Sequence, residues 1–208
     1  MNRPPLRIVG RSSSHFTRVA RIFAEELGVA HDFQPVLDLT SVNRADYADN
    51  PTLRVPILQT EAGTWFGALN ICRELARRSS LGKDVVWPEE LGHVAANAQE
   101  LVLQAMASEG VLIMAKVSGG NGDDRYAQKL RVALSNTLEW LDAHGDQALS
   151  SLRKERDAST LEVTLFCLVT HLEFREILSV APYARLSEFA ARFGERASAR
   201  KTPYRFDA

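Results

Sequence analysis

Apolar residues recur at two different spacings along this chain, and the pattern changes near residue 80. Before that point short runs dominate. Leu6-Arg7-Ile8-Val9-Gly10 is a strand candidate that ends at a glycine, and Phe33, Val36 and Leu37 mark another within 31–38. Pro35 suits an edge or a strand end there, because proline has no N–H to give to a ladder. Between the two strands Phe16, Val19, Ala20, Phe23 and Leu27 keep the three-and-four spacing of one buried helix face, and Gly28 supplies a C-terminal stop. After a polar segment over 40–51 come a strand at 55–59, a turn at Glu61-Ala62-Gly63, a strand at Thr64-Trp65-Phe66 and a helix over 68–78. The pattern predicts β-α-β followed by β-β-α: a right-handed crossover, then a hairpin, in one mixed sheet with helices over it.

From residue 79 only helices are predicted. Pro88 suits the first turn of a new helix, and 91–114 is a long amphipathic segment. Gly119-Gly120-Asn121-Gly122-Asp123 is a break, after which Tyr126, Leu130, Ala133, Leu134, Leu138 and Leu141 form a second stripe. The stretch 157–178 is the most apolar helix, and Leu186, Phe189, Ala190 and Phe193 mark a last one. The fold class is therefore α/β plus all-α, divided as 1–80, a linker at 81–87, and an all-helical domain over 88–208.

Composition narrows the partners. With 208 residues and 45% hydrophobic content the chain can bury a sizeable core, and 25 basic against 26 acidic residues leave a formal charge of −1. Such a balance gives no field to draw in nucleic acid or an anionic membrane, so small or neutral partners are expected. Cys72 and Cys167 lie far apart inside apolar helical patterns, which reads as core filling in a reducing compartment, with no ligand spacing for a metal. Neither a signal-peptide pattern nor a membrane-length apolar run is present, and the expected location is cytoplasmic.

Chemistry is suggested by Ser12-Ser13-Ser14, at the junction of the first strand and first helix. Any of the three can cap the helix. The backbone amides and the helix dipole also favour negative charge there. His15 and Arg18 read as a solvated helix face. Ser159-Thr160-Leu161-Glu162 is a capping box with a structural role, pinning the start of an apolar helix.

Taken in order, "SSHFTRV" (13–19), "NPTLRVPIL" (50–58), the helix after Phe66, "VWPEEL" (86–91) and "STLE" (159–162) make the chain resemble a glutathione S-transferase of bacterial type over essentially its whole length, with serine where other members carry cysteine. The resemblance implies a thioredoxin-like N-terminal domain that binds glutathione as a substrate, an all-helical C-terminal domain, a homodimer, and a detoxification-type reaction with a small electrophile. It implies Ser13, six residues before Val19, as the catalytic residue. Val55 and a cis Pro56 would present backbone groups to the cysteinyl part of glutathione. The family's acid-serine pair, which holds the γ-glutamyl end, falls on Gly67 and Ala68, so both anchoring side chains are missing. That loss motivates a rival: a noncatalytic protein of the same fold binding another small ligand or a protein. A thiol-disulfide reductase is disfavoured, since no cysteine lies near residue 13. For a second substrate, Met106, Val111, Leu112, Met114 and Trp140 are possible linings, but at helical spacing they read as core.

Overall fold

The computed structural model describes residues 6–119 and 124–208; the start of the chain and most of the glycine-rich break at 119–123 lie outside the described residues. Two units are distinguished: Met1–Val85 together with Arg196–Ala208, and Val86–Glu195.

In the first unit β1 (Arg7–Gly10) runs parallel to β2 (Asp32–Pro35) and antiparallel to β3 (Ile57–Thr60), and β3 continues into β4 (Gly63–Phe66), giving the order β2-β1-β3-β4. Ile8, Val9, Ile57 and Leu58 lose essentially all contact with solvent, each contributing about 1.5–3 kcal/mol by burial. Helix α1 (His15–Glu26) buries Val19, Ala20, Ile22 and Phe23, and its chain leaves through Gly28 at φ +63. Helix α2 (Ala68–Arg78) has the bounds its apolar spacing predicts and buries Ile71, Cys72 and Leu75. This is the thioredoxin-like arrangement of β-α-β and β-β-α.

The 40–51 segment is less polar in effect than in composition. A single 3-10 turn, Arg44–Tyr47, drives Tyr47 into a cluster with Val9, Val36 and Ile57, and burial together with Asp38 raises the Tyr47 pKa. The last helix of this unit, α7 (Ala197–Lys201), packs on α1. Arg196 makes two hydrogen bonds to the Glu26 carboxylate, at 2.8 and 2.7 Å; Ser198 also donates to Glu26, and Lys201 pairs with Glu25 at 2.9 Å.

Beyond β5 (Val85–Val86) the second unit is built from α3 (His93–Val117), α4 (Arg125–Ser150), α5 (Thr160–Phe174) and α6 (Ala184–Gly194), with a two-residue strand β6 (Ala158–Ser159) before α5. On α4 the stripe at three- and four-residue spacing, Leu130, Leu134, Leu138 and Leu141, is buried, whereas Tyr126 and Ala133 stand exposed. Helix α5 is buried nearly all round and is the centre of this unit, as its lack of a polar face dictates. Its start is fixed by Ser159, which accepts from the Glu162 amide at 3.1 Å and donates to the Glu162 carboxylate at 2.8 Å, while Arg156 grips the same carboxylate. Met106 and Leu112 are buried in this unit, Val111 is exposed, and Trp140 stacks on His144 with ring centroids 4.4 Å apart. Among the described residues no helix is long and apolar enough to cross a membrane.

Candidate functional site

Strand register decides which candidate residues meet. Val9 pairs with Ile57 and Ile57 pairs with Phe66, so these three residues form one row across the sheet. Beyond that row, at the same end, lie the exit of β1 toward Ser13, the entry to β3 through Val55 and Pro56, and the exit of β4 into Gly67 and Ala68. Gly10 pairs with Pro35, which brings the end of β2 to this edge as well. Segments that are about ten to fifty residues apart in sequence thus converge at the carboxyl ends of the two parallel strands, the ordinary place for a ligand in an α/β sheet.

The turn from β1 into α1 is tightly made. At Gly10 an added Cβ would lie 2.5 Å from Cγ2 of Thr17, so only glycine allows this approach. Ser14 is the helix cap: its side chain accepts from the Thr17 amide at 3.3 Å. Capping therefore does not account for Ser13, which is buried just outside the first turn, beside the equally buried Ser12. The Ser12 amide donates to the Asp207 carboxylate at 2.7 Å. Arg11 holds the loop to the end of β2 by donating to the carbonyls of Val36 and Leu37.

His15 and Arg18 depart from the solvated face that the sequence predicts, since both are buried. For Arg18 the physical reason lies far along the chain. Its guanidinium sits 4.2 Å from the centre of the Tyr204 ring and donates to the Ala199 carbonyl at 3.3 Å, a cation–π contact and a hydrogen bond that no local periodicity reveals. His15 meets Phe16 edge-on at 4.5 Å between ring centroids. Arg21, one turn after Arg18, lies 4.4 Å from the centre of the Phe33 ring; burial, then Arg205, holds its pKa below the ordinary value while Asp207 pulls it up.

The Val55–Pro56 peptide is cis, Pro56 is buried and Val55 half-buried. At the start of α2 the furnishing is different. Gly67 has φ +83 and ψ 132, makes no side-chain cap, and has nothing within 4 Å of where a Cβ would stand. Such a backbone conformation belongs to glycine. The acids close by in sequence are engaged: Glu61 takes two 3.0 Å hydrogen bonds from Arg78, and Glu74 accepts from Arg77 and Arg78. The structure thus gathers Ser13, Val55, Pro56, Gly67 and Ala68 at one sheet end, and it adds Asp207, which sequence reasoning did not place there.

Residues 13–78 match the family described as glutathione S-transferase, N-terminal domain. No curated protein sequence matches the chain. Among solved structures, a glutathione transferase family member from Pseudomonas fluorescens Pf-5 with bound glutathione aligns with a TM-score of 0.76 at 15% identity, over 96% of this chain and 99% of that one. A glutathione S-transferase from Methylobacillus flagellatus KT, also with glutathione bound, aligns at 0.74 with 18% identity, over 95% and 98%. One from Sinorhizobium meliloti 1021 aligns at 0.74 with 15% identity, over 96% and 92%. The chain therefore has the glutathione S-transferase fold, and its stretch 13–78 is the part that matches the family's N-terminal domain in sequence.

Proposed function

We propose that this protein binds glutathione or a related thiol at the end of the sheet and sets its sulfur beside Ser13 for attack on a small electrophile. The observation that carries the reading is the single row Val9, Ile57, Phe66, beyond which Ser13, Val55-Pro56 and Gly67-Ala68 converge. Glutathione bound to structural neighbours that align along nearly their whole length supports it.

In this reading the Ser13 hydroxyl donates to the sulfur and lowers its pKa, the thiol proton passes to water, and the sulfur electron pair forms the new carbon–sulfur bond while the electrophile's leaving group departs with its bonding pair or, at an activated double bond, the π pair moves to the neighbouring atom and takes a proton from water. Val55 offers its backbone N–H and C=O to the middle of the ligand. At the far end, the first amides of α2 receive a carboxylate, but no side chain of Gly67 or Ala68 helps. Two missing contacts to charged groups weaken binding by about 2–5 kcal/mol. The protein is proposed to act as a cytoplasmic homodimer that handles glutathione at the weak end of the range.

Calorimetric titration with glutathione, followed by conjugation assays against a panel of electrophiles, tests the reading. Ser13→Ala is expected to lower turnover by about 10- to 100-fold, the worth of one hydrogen bond to a charged group. Absence of heat at millimolar glutathione would overturn the proposal. Unchanged turnover in Ser13→Ala would remove Ser13 from it.

A further inference from the structure

The stretch 203–208 is neither helix nor strand, and Asp207 ties it to the loop before α1. Thr202 donates to the Ser198 carbonyl at 2.8 Å, Tyr204 covers the Arg18 guanidinium at 4.2 Å, and Asp207 accepts from the Ser12 amide at 2.7 Å. Between these anchors Arg205 and Phe206 point to solvent, with the Arg205 side chain 64% exposed and Phe206 63%. The Asp207 side chain is only 6% exposed. A carboxylate buried to that degree sits on the amide of the residue that precedes Ser13, in the turn that leads into α1, whose dipole favours negative charge at its start.

We infer that 202–208 is an autoinhibitory strap, in which Asp207 seated on the Ser12 amide presents a fixed negative charge where the reacting sulfur must also become negative. The inference rests on the reading of Ser13 given above. Like charges at close range oppose each other, so a thiolate beside Ser13 is disfavoured while the strap is closed and favoured once it lifts. Arg205 lies 3.6 Å from the carboxylate, and Arg21 of α1 feels its charge, as it also feels those of Arg205, Glu25 and Arg18. Arg18 and Arg21, which stand outside the strap, hold it through Tyr204 and through the charge of Asp207, and they are the cations that would remain for the ligand after release. Tyr204 acts as the second fastening, since its ring covers the guanidinium of Arg18.

The test places a thiol at the site itself. Ser13→Cys is alkylated with iodoacetamide across a range of pH, alone and combined with Asp207→Asn or Asp207→Ala. Cys72 and Cys167 are both 0% exposed and give a slow background, which the unaltered chain measures. Asp207→Asn keeps the shape and an acceptor for the Ser12 amide while removing the charge. It is expected to lower the apparent pKa of the introduced thiol by about one unit, with up to about tenfold faster alkylation at pH below both values. Asp207→Ala is expected to do the same and also to raise the plateau rate at high pH severalfold, by freeing the strap. An unchanged profile in Asp207→Asn, or a raised pKa as expected of a group that merely positions the loop, overturns the strap. Glutathione titration of Asp207→Asn with Ser13 intact separates the two proposals: about tenfold tighter binding supports both, while no binding in any variant overturns the proposed function and leaves the alkylation profile to decide the strap.

Discussion

The N-termini of α1 and α2 reach the same end of one sheet, yet they are equipped in opposite ways. At α1 the turn is packed and polar: Ser14 caps, Ser12 and Ser13 are buried, Gly10 admits Thr17, and Asp207 reaches in from nearly two hundred residues away. At α2 the cap position is Gly67, with open space around it and no side-chain hydrogen bond. Both ends offer backbone amides and a helix dipole, so both attract negative charge. Only α1 adds polar side chains to its amides. In the proposed reading the reacting end of the ligand is therefore met by side chains and the distal end by backbone alone, which would keep a general affinity for carboxylate and give up selectivity for an amino acid terminus.

Two substitutions attack that contrast where it is strongest. Gly10→Ala forces a Cβ to within 2.5 Å of Thr17, and overpacking of this kind costs about 1–3 kcal/mol, read as a lowered denaturation midpoint. Restoring the acid-serine pair with Gly67→Glu and Ala68→Ser works on the other end. The polar contacts regained are worth about 2–5 kcal/mol, but a side chain at φ +83 costs about 1–3 kcal/mol, so glutathione is expected to bind about tenfold more tightly by calorimetry. Ala68→Ser alone carries no backbone strain and should show part of that gain. Were the double variant to bind no better, the open space at α2 would not be a ligand subsite.

Much of this was legible in the sequence because local rules govern it. Helix α2 follows from its apolar spacing and the turn before it, and the buried faces of α1 and α4 follow from Val19, Phe23, Leu130 and Leu134 at helical intervals. The bare positions Gly67 and Ala68 were legible too, as a mismatch to a familiar pattern. Other features depend on contacts that spacing does not encode. Three adjacent serines are equivalent caps on paper, and only the backbone shows that Ser14 takes the role. Tyr47 sits in a polar stretch and is nonetheless core, because one 3-10 turn swings it under β1 and β3. Arg18 looks like a solvated residue until Tyr204 and Ala199 arrive from 181 or more positions away. The same holds for Asp207, an acid in a tail of mixed charge that acquires meaning only on the Ser12 amide.

A smaller effect separates the capped helix from the uncapped one. Ser14→Ala removes the acceptor for the Thr17 amide and should cost about 1 kcal/mol in chemical denaturation. Gly67 makes no such bond, so Gly67→Ala loses nothing by way of a cap, and any destabilisation it shows comes from φ +83. Combining each with the Gly10 variant should reveal coupling only for Ser14, since Thr17 is the shared partner of Gly10 and Ser14.

The gentlest probe is pH, acting on the tie that brings 196–208 to α1. Burial pushes the Glu26 carboxyl up, but hydrogen bonds from Arg196 and Ser198 and the charge of Arg196 outweigh it, and the pKa falls below the ordinary 4.5. A carboxylate with a depressed folded-state pKa adds stability that is fully present above the unfolded-state value and is lost as pH falls through the folded-state value. Glu26 also stands at the C-terminal end of α1, where the helix dipole disfavours its charge, so Arg196 is what makes the position tenable. Glu26→Gln is therefore expected to be less stable than the unaltered chain at pH 7, with the gap closing below about pH 4.5. If the tie also seats the strap, the same substitution in the Ser13→Cys background speeds alkylation at neutral pH. If alkylation is unchanged while stability falls, Tyr204 and Asp207 hold the strap without help from α7, and the polar equipment of the α1 N-terminus is local to 202–208.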